Sequence, residues 1–299
     1  MHDIIIIGAG TAGLSAAIYA LRAGKSVLLL EQLSYGGQII NTPEVENYPG
    51  IKNISGFDFA QGLYEQATAL GAELEYAKVT GITDGAEKTV HTEGKDYSCR
   101  AVIIATGAKN RPLGLPKEQE LTGAGVSYCA TCDGAFFRGR PVAVNGGGNT
   151  ALEDALFLSN YCSKVYLIHR RDAFRGEAKQ AEQLKAKENV EFVLNATITE
   201  LVGEEELSAV IVTDKQSGEK RELAVDGLFI AIGQMPDNAA FASLVDLDPA
   251  GYVVAAEDCK TRTEGIYAAG DCRTKTVRQL TTAAADGAVA ALAACAYIG

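Results

Sequence analysis

Two stretches of this chain repeat one glycine pattern, and carrying both confines it to a small set of folds. The first is Asp3-Ile-Ile-Ile-Ile-Gly-Ala-Gly-Thr-Ala-Gly13, an apolar run that reads as a buried parallel strand, turns at Gly8, Gly10 and Gly13, and enters a helix. The next strand, Ser26-Val-Leu-Leu-Leu30, ends at Glu31. The second stretch is Pro141-Val-Ala-Val-Asn-Gly-Gly-Gly-Asn-Thr-Ala151, with Gly146, Gly148 and Ala151 at the same three positions. Asn149 and Thr150 lead into a helix expected over Leu152 to Ser159, and a strand follows at Lys164–Ile168. Glu31 follows Gly8 by 23 residues and His169 follows Gly146 by 23, so both stretches build one strand–turn–helix–strand unit. In such a unit the glycines permit a tight turn, close approach of a pyrophosphate, and close packing of helix on strand. The helix N-terminus adds free N–H groups and the positive end of its dipole. The expected fold is therefore α/β with two Rossmann-like dinucleotide-binding domains. Polar Asn145 stands where an apolar residue suits the second strand better, and nothing in the sequence explains it.

The residue ending each second strand assigns the ligands. Glu31 can accept from both hydroxyls of a free ribose and repels a 2′-phosphate. His169-Arg-Arg-Asp-Ala-Phe-Arg175 does the reverse: Arg170, Arg171 and Arg175 present guanidinium forks suited to a phosphate dianion. Site one is expected to take an unphosphorylated adenine dinucleotide and site two NADP.

Composition narrows the partners. With 299 residues, the length suggests two domains, and 47% hydrophobic with 22% charged residues is ordinary for a globular chain. A net charge of −11 disfavours nucleic acid as a partner. Ile4–Ile7 is too short for a signal peptide and lacks a basic flank. The Ala-rich tail from Ala283 to Gly299 carries Asp286 and is short for a membrane span. No membrane association and a cytoplasmic location are expected. Seven cysteines, an odd count, argue against a secreted disulfide framework, and only Cys129 and Cys132 are closely spaced. The other five read as small buried thiols.

The order of motifs suggests an insertion. Ser34-Tyr-Gly-Gly-Gln38 and Glu46-Asn-Tyr-Pro-Gly50 lie where the isoalloxazine side of a flavin dinucleotide needs backbone contacts. Strand-like Val90–Thr92 and Tyr97–Cys99 precede a buried strand, Ala101-Val-Ile-Ile-Ala-Thr-Gly107, which a similar segment, Gly227–Gly233, repeats. Each ends in a Pro-containing stretch, Arg111–Pro116 and Gln234–Asn238, expected to be the two crossings between domains. The chain returns with Gly265-Ile-Tyr-Ala-Ala-Gly-Asp271, placing Asp271 to accept from a ribitol hydroxyl. A helix starting near Leu280 or Thr281 would bring its positive end to the flavin pyrimidine.

The series G-A-G-T-A-G, G-G-Q, A-T-G, C-A-T-C-D-G, G-G-G-N-T-A, H-R-R-x-x-x-R, A-I-G and A-A-G-D-C-R resembles the low-molecular-weight, bacterial-type thioredoxin reductases across nearly the whole chain. The resemblance implies an FAD/NAD(P)-linked disulfide reductase architecture with the NADP domain inserted into the FAD domain: 1–112 and 239–299 for FAD, and 113–238 for NADPH and the Cys-x-x-Cys pair. It implies FAD, NADPH, a homodimer, and thioredoxin or a thioredoxin-like protein as the disulfide substrate. Carried onto these positions, FAD falls to Gly8, Gly10, Gly13, Glu31, Gly37, Gln38, Asn47, Thr106, Gly107, Gly270, Asp271, Arg278, Gln279 and Leu280. NADPH falls to Gly146, Gly148, Asn149, Thr150, His169, Arg170, Arg171 and Arg175.

Ser127-Tyr-Cys-Ala-Thr-Cys-Asp-Gly134 holds the reactive pair. A structural zinc site needs four ligands, and the sequence has no second close Cys or His pair. Cys132 lies 14 residues before Gly146, too close for a separate thioredoxin-like domain. Cys129 and Cys132 thus read as a dithiol carried on the nicotinamide domain. The family resemblance implies hydride transfer from NADPH to flavin and then reduction of the disulfide. Cys132 would lie next to the flavin, and Cys129 would attack thioredoxin. Asp133 is an acid–base candidate, against the plainer reading of an Asp-Gly turn. Since nicotinamide and dithiol share one domain and both need one flavin face, the inserted domain is expected to rotate about its crossings. The related flavoproteins of alkyl hydroperoxide reductase systems carry an extra N-terminal domain, whereas the first strand here starts at Asp3. Dithiol oxidases do not need the arginine cluster, and ferredoxin-driven variants typically lack a working NADP fingerprint. A redox-sensing nucleotide-binding protein is the non-enzymatic alternative.

Overall fold

Ile4–Ile7 run apolar without interruption because both faces of their strand are buried. Ile4 and Ile6 enter one core with Leu14 and Leu29, while Ile5 and Ile7 enter a second with Leu28 and Val253. Alternate side chains point to opposite faces, so a strand covered on both sides needs apolar residues at every position. A computed structural model, describing residues 1–42 and 44–299, shows this strand, β1 (His2–Ile7), at the centre of a seven-stranded sheet. The chain divides into two units, Met1–Lys109 with Met235–Gly299, and Asn110–Gln234.

In the first unit β1 is followed by α1 (Thr11–Arg22), β2 (Val27–Glu31), α2 (Gly56–Ala69), β3 (Glu73–Tyr76), β4 (Val79–Thr83), β5 (Lys88–Thr92) and β6 (Asp96–Ile104). The strand order is β3-β2-β1-β6-β5-β4, with β3, β2, β1 and β6 parallel. The two segments expected around Tyr97–Cys99 and Ala101–Gly107 are one strand, β6. Arg100, which breaks the apolar run, reaches sideways to Asp3 at 3.5 Å instead of ending the strand. The first part of β6 pairs antiparallel with β5 and its end pairs parallel with β17 (Ile266–Ala268).

The tail helix, α6 (Leu280–Ile298), has 19 residues and starts at Leu280, its expected N-terminus. By length and hydropathy it is apolar enough to cross a bilayer, but it is laid along α1. Gly287 makes that closeness possible: a Cβ there would lie 2.2 Å from the Ala12 carbonyl oxygen.

The second unit holds a parallel sheet in the order β11-β10-β9-β15-β8. These strands are β8 (Val126–Ser127), β9 (Pro141–Gly146), β10 (Lys164–Ile168), β11 (Val190–Val193) and β15 (Gly227–Ala231). On one face Val142 and Val144 pack with Leu152 and Leu158 of α4 (Asn149–Leu158) and Leu184 of α5 (Ala178–Lys185). On the other, Ala143 and Ile230 pack with the antiparallel sheet β12 (Ala196–Gly203), β13 (Leu207–Asp214), β14 (Lys220–Ala224). Asn145 is half-buried between Ile168 and Ile230 in register, and nothing in the structure explains its polarity. The connecting strands β7 (Ala108–Asn110) and β16 (Gln234–Pro236) pair with each other.

Candidate active site

In the second unit the chain leaves β8 at Ser127, extends through Cys129, and coils into one helical turn, α3 (Ala130–Asp133). The N–H groups of Cys132 and Asp133 donate to the Cys129 carbonyl, at 3.2 and 3.1 Å. This turn brings the cysteine Cα atoms to 5.3 Å, and the two are joined as a disulfide. Both cysteines are half-buried. Ser127 is buried beside them. Its Oγ accepts from the Cys129 N–H at 3.0 Å and donates to Asp133 Oδ2 at 2.6 Å. Asp133 Oδ1 is shielded from solvent and has no hydrogen-bond partner among the described residues. Burial pushes the Asp133 carboxyl above the usual carboxylate range, and the Ser127 hydrogen bond opposes this only in part.

The second glycine loop lies in the same unit. At Gly146 a Cβ would sit 2.4 Å from the Ala231 carbonyl oxygen and 2.6 Å from the Ala151 methyl, so the first position must be glycine. Gly148 faces open space at the start of α4, as a site for an approaching phosphate requires. The arginine loop is tied to these glycines: the N–H groups of Arg175 and Gly176 donate to the Gly147 carbonyl at 2.7 and 3.2 Å. Asn149 Oδ1 accepts from the Glu177 N–H at 2.9 Å, while Thr150 is exposed on the first turn. Arg170, Arg171 and Arg175 are exposed, and none forms an ion pair among the described residues. His169 differs from them. It is buried against Gly147 and stacked on Phe174, and burial, then the nearby arginines, hold it below its ordinary pKa. A neutral imidazole there props the loop.

In the first unit Gly8 has φ +105°, and a Cβ on Gly13 would lie 1.9 Å from the Gly8 carbonyl oxygen. The helix stands closer here than in the second loop, where Ala151 is tolerated. Glu31 accepts from the Ala9 N–H through Oε2 at 2.8 Å and from the Leu33 N–H through Oε1 at 3.0 Å, which fixes the carboxylate at the strand end. Gly37 lies over Gly10, where a Cβ would be 3.3 Å from the Gly10 Cα, and Gln38 is exposed beside it. Asn47 Nδ2 donates to Gln279 Oε1 at 3.3 Å, bringing together two predicted residues far apart in sequence. Gln279 caps α6, and Leu280 is its first residue.

Asp271 Oδ1 is shielded and without a partner among the described residues, and burial raises its pKa against the pull of Lys275 and Arg278. Arg278 packs over the Tyr252 ring and donates from Nε to the Asp271 carbonyl at 3.4 Å. Gly270 is held by its N–H, which donates to Asp286 at 2.9 Å. Thr106, next to Gly107, donates to Asn238 Oδ1 at 2.9 Å, and the Asn238 amide donates to the Gly251 and Cys272 carbonyls, each at 2.9 Å. Sequence reasoning singled out neither Ser127, Asn238 nor Asp286 as a site residue. Asn238 and Asp286 carry no local motif, and only a hydroxyl two residues before Cys129 hinted at Ser127.

These residues fit the two groups that the sequence implies. A glycine cradle that a Cβ would fill, an anchored acidic strand end and an orphaned buried carboxylate oxygen suit FAD in the first unit. An open helix N-terminus with three exposed guanidinium groups, none in an ion pair among the described residues, suits NADPH in the second.

The sequence profile of the pyridine nucleotide-disulphide oxidoreductases matches residues 2–287. The thioredoxin reductase of Listeria innocua is 43% identical over 300 aligned positions, spanning 100% of this chain and 94% of that protein. The crystal structure of thioredoxin reductase from Streptococcus pyogenes superposes with a TM-score of 0.95 at 40% identity, over 99% of this chain and 98% of that one. The Lactococcus lactis thioredoxin reductase, in a state described as the FR conformation, gives 0.69 at 39% identity over 100% and 99%. The Cys129–Cys132 disulfide, the two glycine loops and these full-length matches agree: the chain belongs to the pyridine nucleotide-disulphide oxidoreductase family, in its thioredoxin reductase branch.

Proposed function

We infer that this chain is an NADPH-dependent flavoprotein that reduces the disulfide of thioredoxin or a thioredoxin-like protein. The observation that carries the reading is the Cys129–Cys132 disulfide, with a buried Asp133 carboxyl beside it, in the unit that also holds the arginine-flanked glycine loop. FAD and NADPH, when bound, supply the electron pair that opens the disulfide. Glu31 and Asp271 orient the first through ribose and ribitol hydroxyls, and Arg170, Arg171 and Arg175 select the 2′-phosphate of the second.

The reduced pair then acts by thiol–disulfide exchange. The Cys129 thiolate attacks one sulfur of the thioredoxin disulfide. A mixed disulfide forms, the thioredoxin S–S bond breaks, and the departing thiolate takes the proton of the Asp133 carboxyl. The Asp133 carboxylate next accepts the Cys132 thiol proton. Cys132 attacks Cys129 Sγ, the second thioredoxin thiolate leaves, and the same proton passes to it. Two electrons and two protons have moved, and the Cys129–Cys132 bond is restored.

Two further features belong to this reading. The inserted unit turns about the crossings at 108–110 and 234–236 between a pose for NADPH and one for the dithiol. Relatives at 40% and 39% identity whose TM-scores are 0.95 and 0.69 support more than one arrangement in the family. A homodimer is supported by the exposed apolar stripe Ala285, Val289, Leu292 and Ala296 on α6. Five cysteines left as free thiols suit a reducing compartment, and we place the enzyme in the cytoplasm.

The deciding experiment is an anaerobic titration with NADPH, following flavin absorbance with and without thioredoxin. Bleaching by NADPH and recovery on adding oxidised thioredoxin are expected. Absence of bleaching removes the reading, and bleaching without electron delivery to thioredoxin moves the chain to a dithiol oxidase or a peroxidase-linked flavoprotein.

A further inference from the structure

Ser127 has one hydroxyl hydrogen and two acceptors near it. The Asp133 Oδ2 carboxylate oxygen is at 2.6 Å and the Cys129 carbonyl oxygen at 3.4 Å. The short contact to a carboxylate takes the hydrogen, since an O–H donor to an anionic oxygen is the stronger and shorter bond. The serine lone pair is then directed at the Cys129 N–H, 3.0 Å away. One side chain thus ties the backbone of the first cysteine to the carboxyl next to the second. It is itself fixed at the end of β8, in register with Phe229 of β15.

We propose that Ser127 is a positioning residue for thiol–disulfide exchange, occupying Oδ2 of Asp133 so that Oδ1 alone carries the exchangeable proton to the departing thiolate. Oδ1 is the oxygen that is shielded and has no hydrogen-bond partner among the described residues, so no bond competes for a proton it carries. If both oxygens were free, the proton would be shared between two sites pointing in different directions. With Oδ2 committed as an acceptor, a protonated Asp133 is a donor from Oδ1. The same bond stabilises the carboxylate form and so limits how far burial raises the Asp133 pKa. Ser127 therefore sets both the direction and the pH range of the proton transfer.

This inference rests on the reductase reading above, and wild-type turnover tests that reading separately. Ser127→Ala removes the hydroxyl, and Ser127→Thr keeps it. Loss of a hydrogen bond to a charged group predicts a fall in thioredoxin turnover of about tenfold for Ser127→Ala near neutral pH. The limb of the pH profile governed by Asp133 should move to higher pH, and Ser127→Thr should restore both rate and profile. In an Asp133→Asn background, Ser127→Ala should cost little more, because the group it positions is already gone. Thermal melting of each holoenzyme checks that the fold is kept. An unmoved pH profile in Ser127→Ala, or losses that multiply with those of Asp133→Asn, overturns the proposal while leaving the reductase reading intact. Wild-type protein that fails to pass electrons from NADPH to thioredoxin overturns the reductase reading instead.

Discussion

Asp286 grips Arg273 with both carboxylate oxygens, Oδ2 at 2.8 Å from Nε and Oδ1 at 2.8 Å from Nη2, with both side chains almost wholly buried. Lys275 adds a third bond at 2.9 Å, and the Gly270 N–H a fourth. The cluster links α6 to the turn that carries Asp271.

Breaking this pair leaves a buried guanidinium with only the exposed Glu257 carboxylate, at 3.4 Å, to balance it; breaking a buried ion pair costs about 3–5 kcal/mol. Asp286→Asn should therefore lower the melting temperature clearly at pH 7. Burial raises the Asp286 pKa, but Arg273 and Lys275 more than offset it, so the folded value lies below the ordinary one. A depressed carboxylate contributes stability above its unfolded pKa and loses it as pH falls through the folded value. The gap between wild type and Asp286→Asn should close only in strong acid, which melts at stepped pH will check.

Asp271 has the opposite sign. Its carboxyl is raised by burial, so in the cofactor-free protein its ionised form costs stability at neutral pH. That cost disappears as pH falls through the raised folded value toward the ordinary carboxylate pKa. Asp271→Asn should make the apoprotein more stable at pH 7, yet weaken FAD by about tenfold through loss of a charge-assisted acceptor. Melting curves and flavin release on dilution measure the two effects; tighter FAD in the variant would contradict the assignment.

The glycines of the second loop separate fold from ligand. Gly146→Ala places a methyl 2.4 Å from a backbone oxygen and should destabilise the protein by about 1–3 kcal/mol. Gly148→Ala meets nothing within 4 Å. It should leave the melting temperature of the apoprotein within a degree or two of wild type, because surface changes are worth about 0.5 kcal/mol or less. Its KM for NADPH should rise severalfold.

Replacing Arg170 and Arg171 together by Ala should weaken NADPH by about a hundredfold, since each charge-assisted bond is worth roughly tenfold or more. NADH, which lacks the 2′-phosphate, should change little. Equal losses for the two nucleotides in steady-state kinetics would assign the arginines to something else.

On α6, Leu292 is 53% exposed in a single chain. Leu292→Asp puts a charge into the apolar stripe and should convert a homodimer to monomers, as read by light scattering after size exclusion. A wild-type protein that is already monomeric would refute the proposed interface.

Much of the site could be read in the sequence, for a physical reason. Gly8, Gly13 and Gly146 are required by contacts within one strand–turn–helix unit, where a Cβ would strike backbone a few residues away or on a neighbouring strand. Ile4–Ile7 and Val142–Val144 declare two-sided burial by composition alone. Glu31, Arg170 and Arg171 follow from counting along the same unit. Continuity of β6 through Arg100 could not be read this way, because whether a charge ends a strand depends on the neighbour that meets it. The burial of His169 against Gly147 and its stacking on Phe174 could not be read this way either, because both depend on how the loop folds back. The paired pattern of glycines, the dithiol and the choice of nucleotides were therefore determined by the sequence itself. The burial of Asp133 Oδ1 and Asp271 Oδ1 without a hydrogen-bond partner among the described residues, and the anchoring of Thr106 by Asn238 and of Gly270 by Asp286, were decided only by tertiary structure. Hydrogen-bond direction and desolvation depend on where the folded chain places each atom.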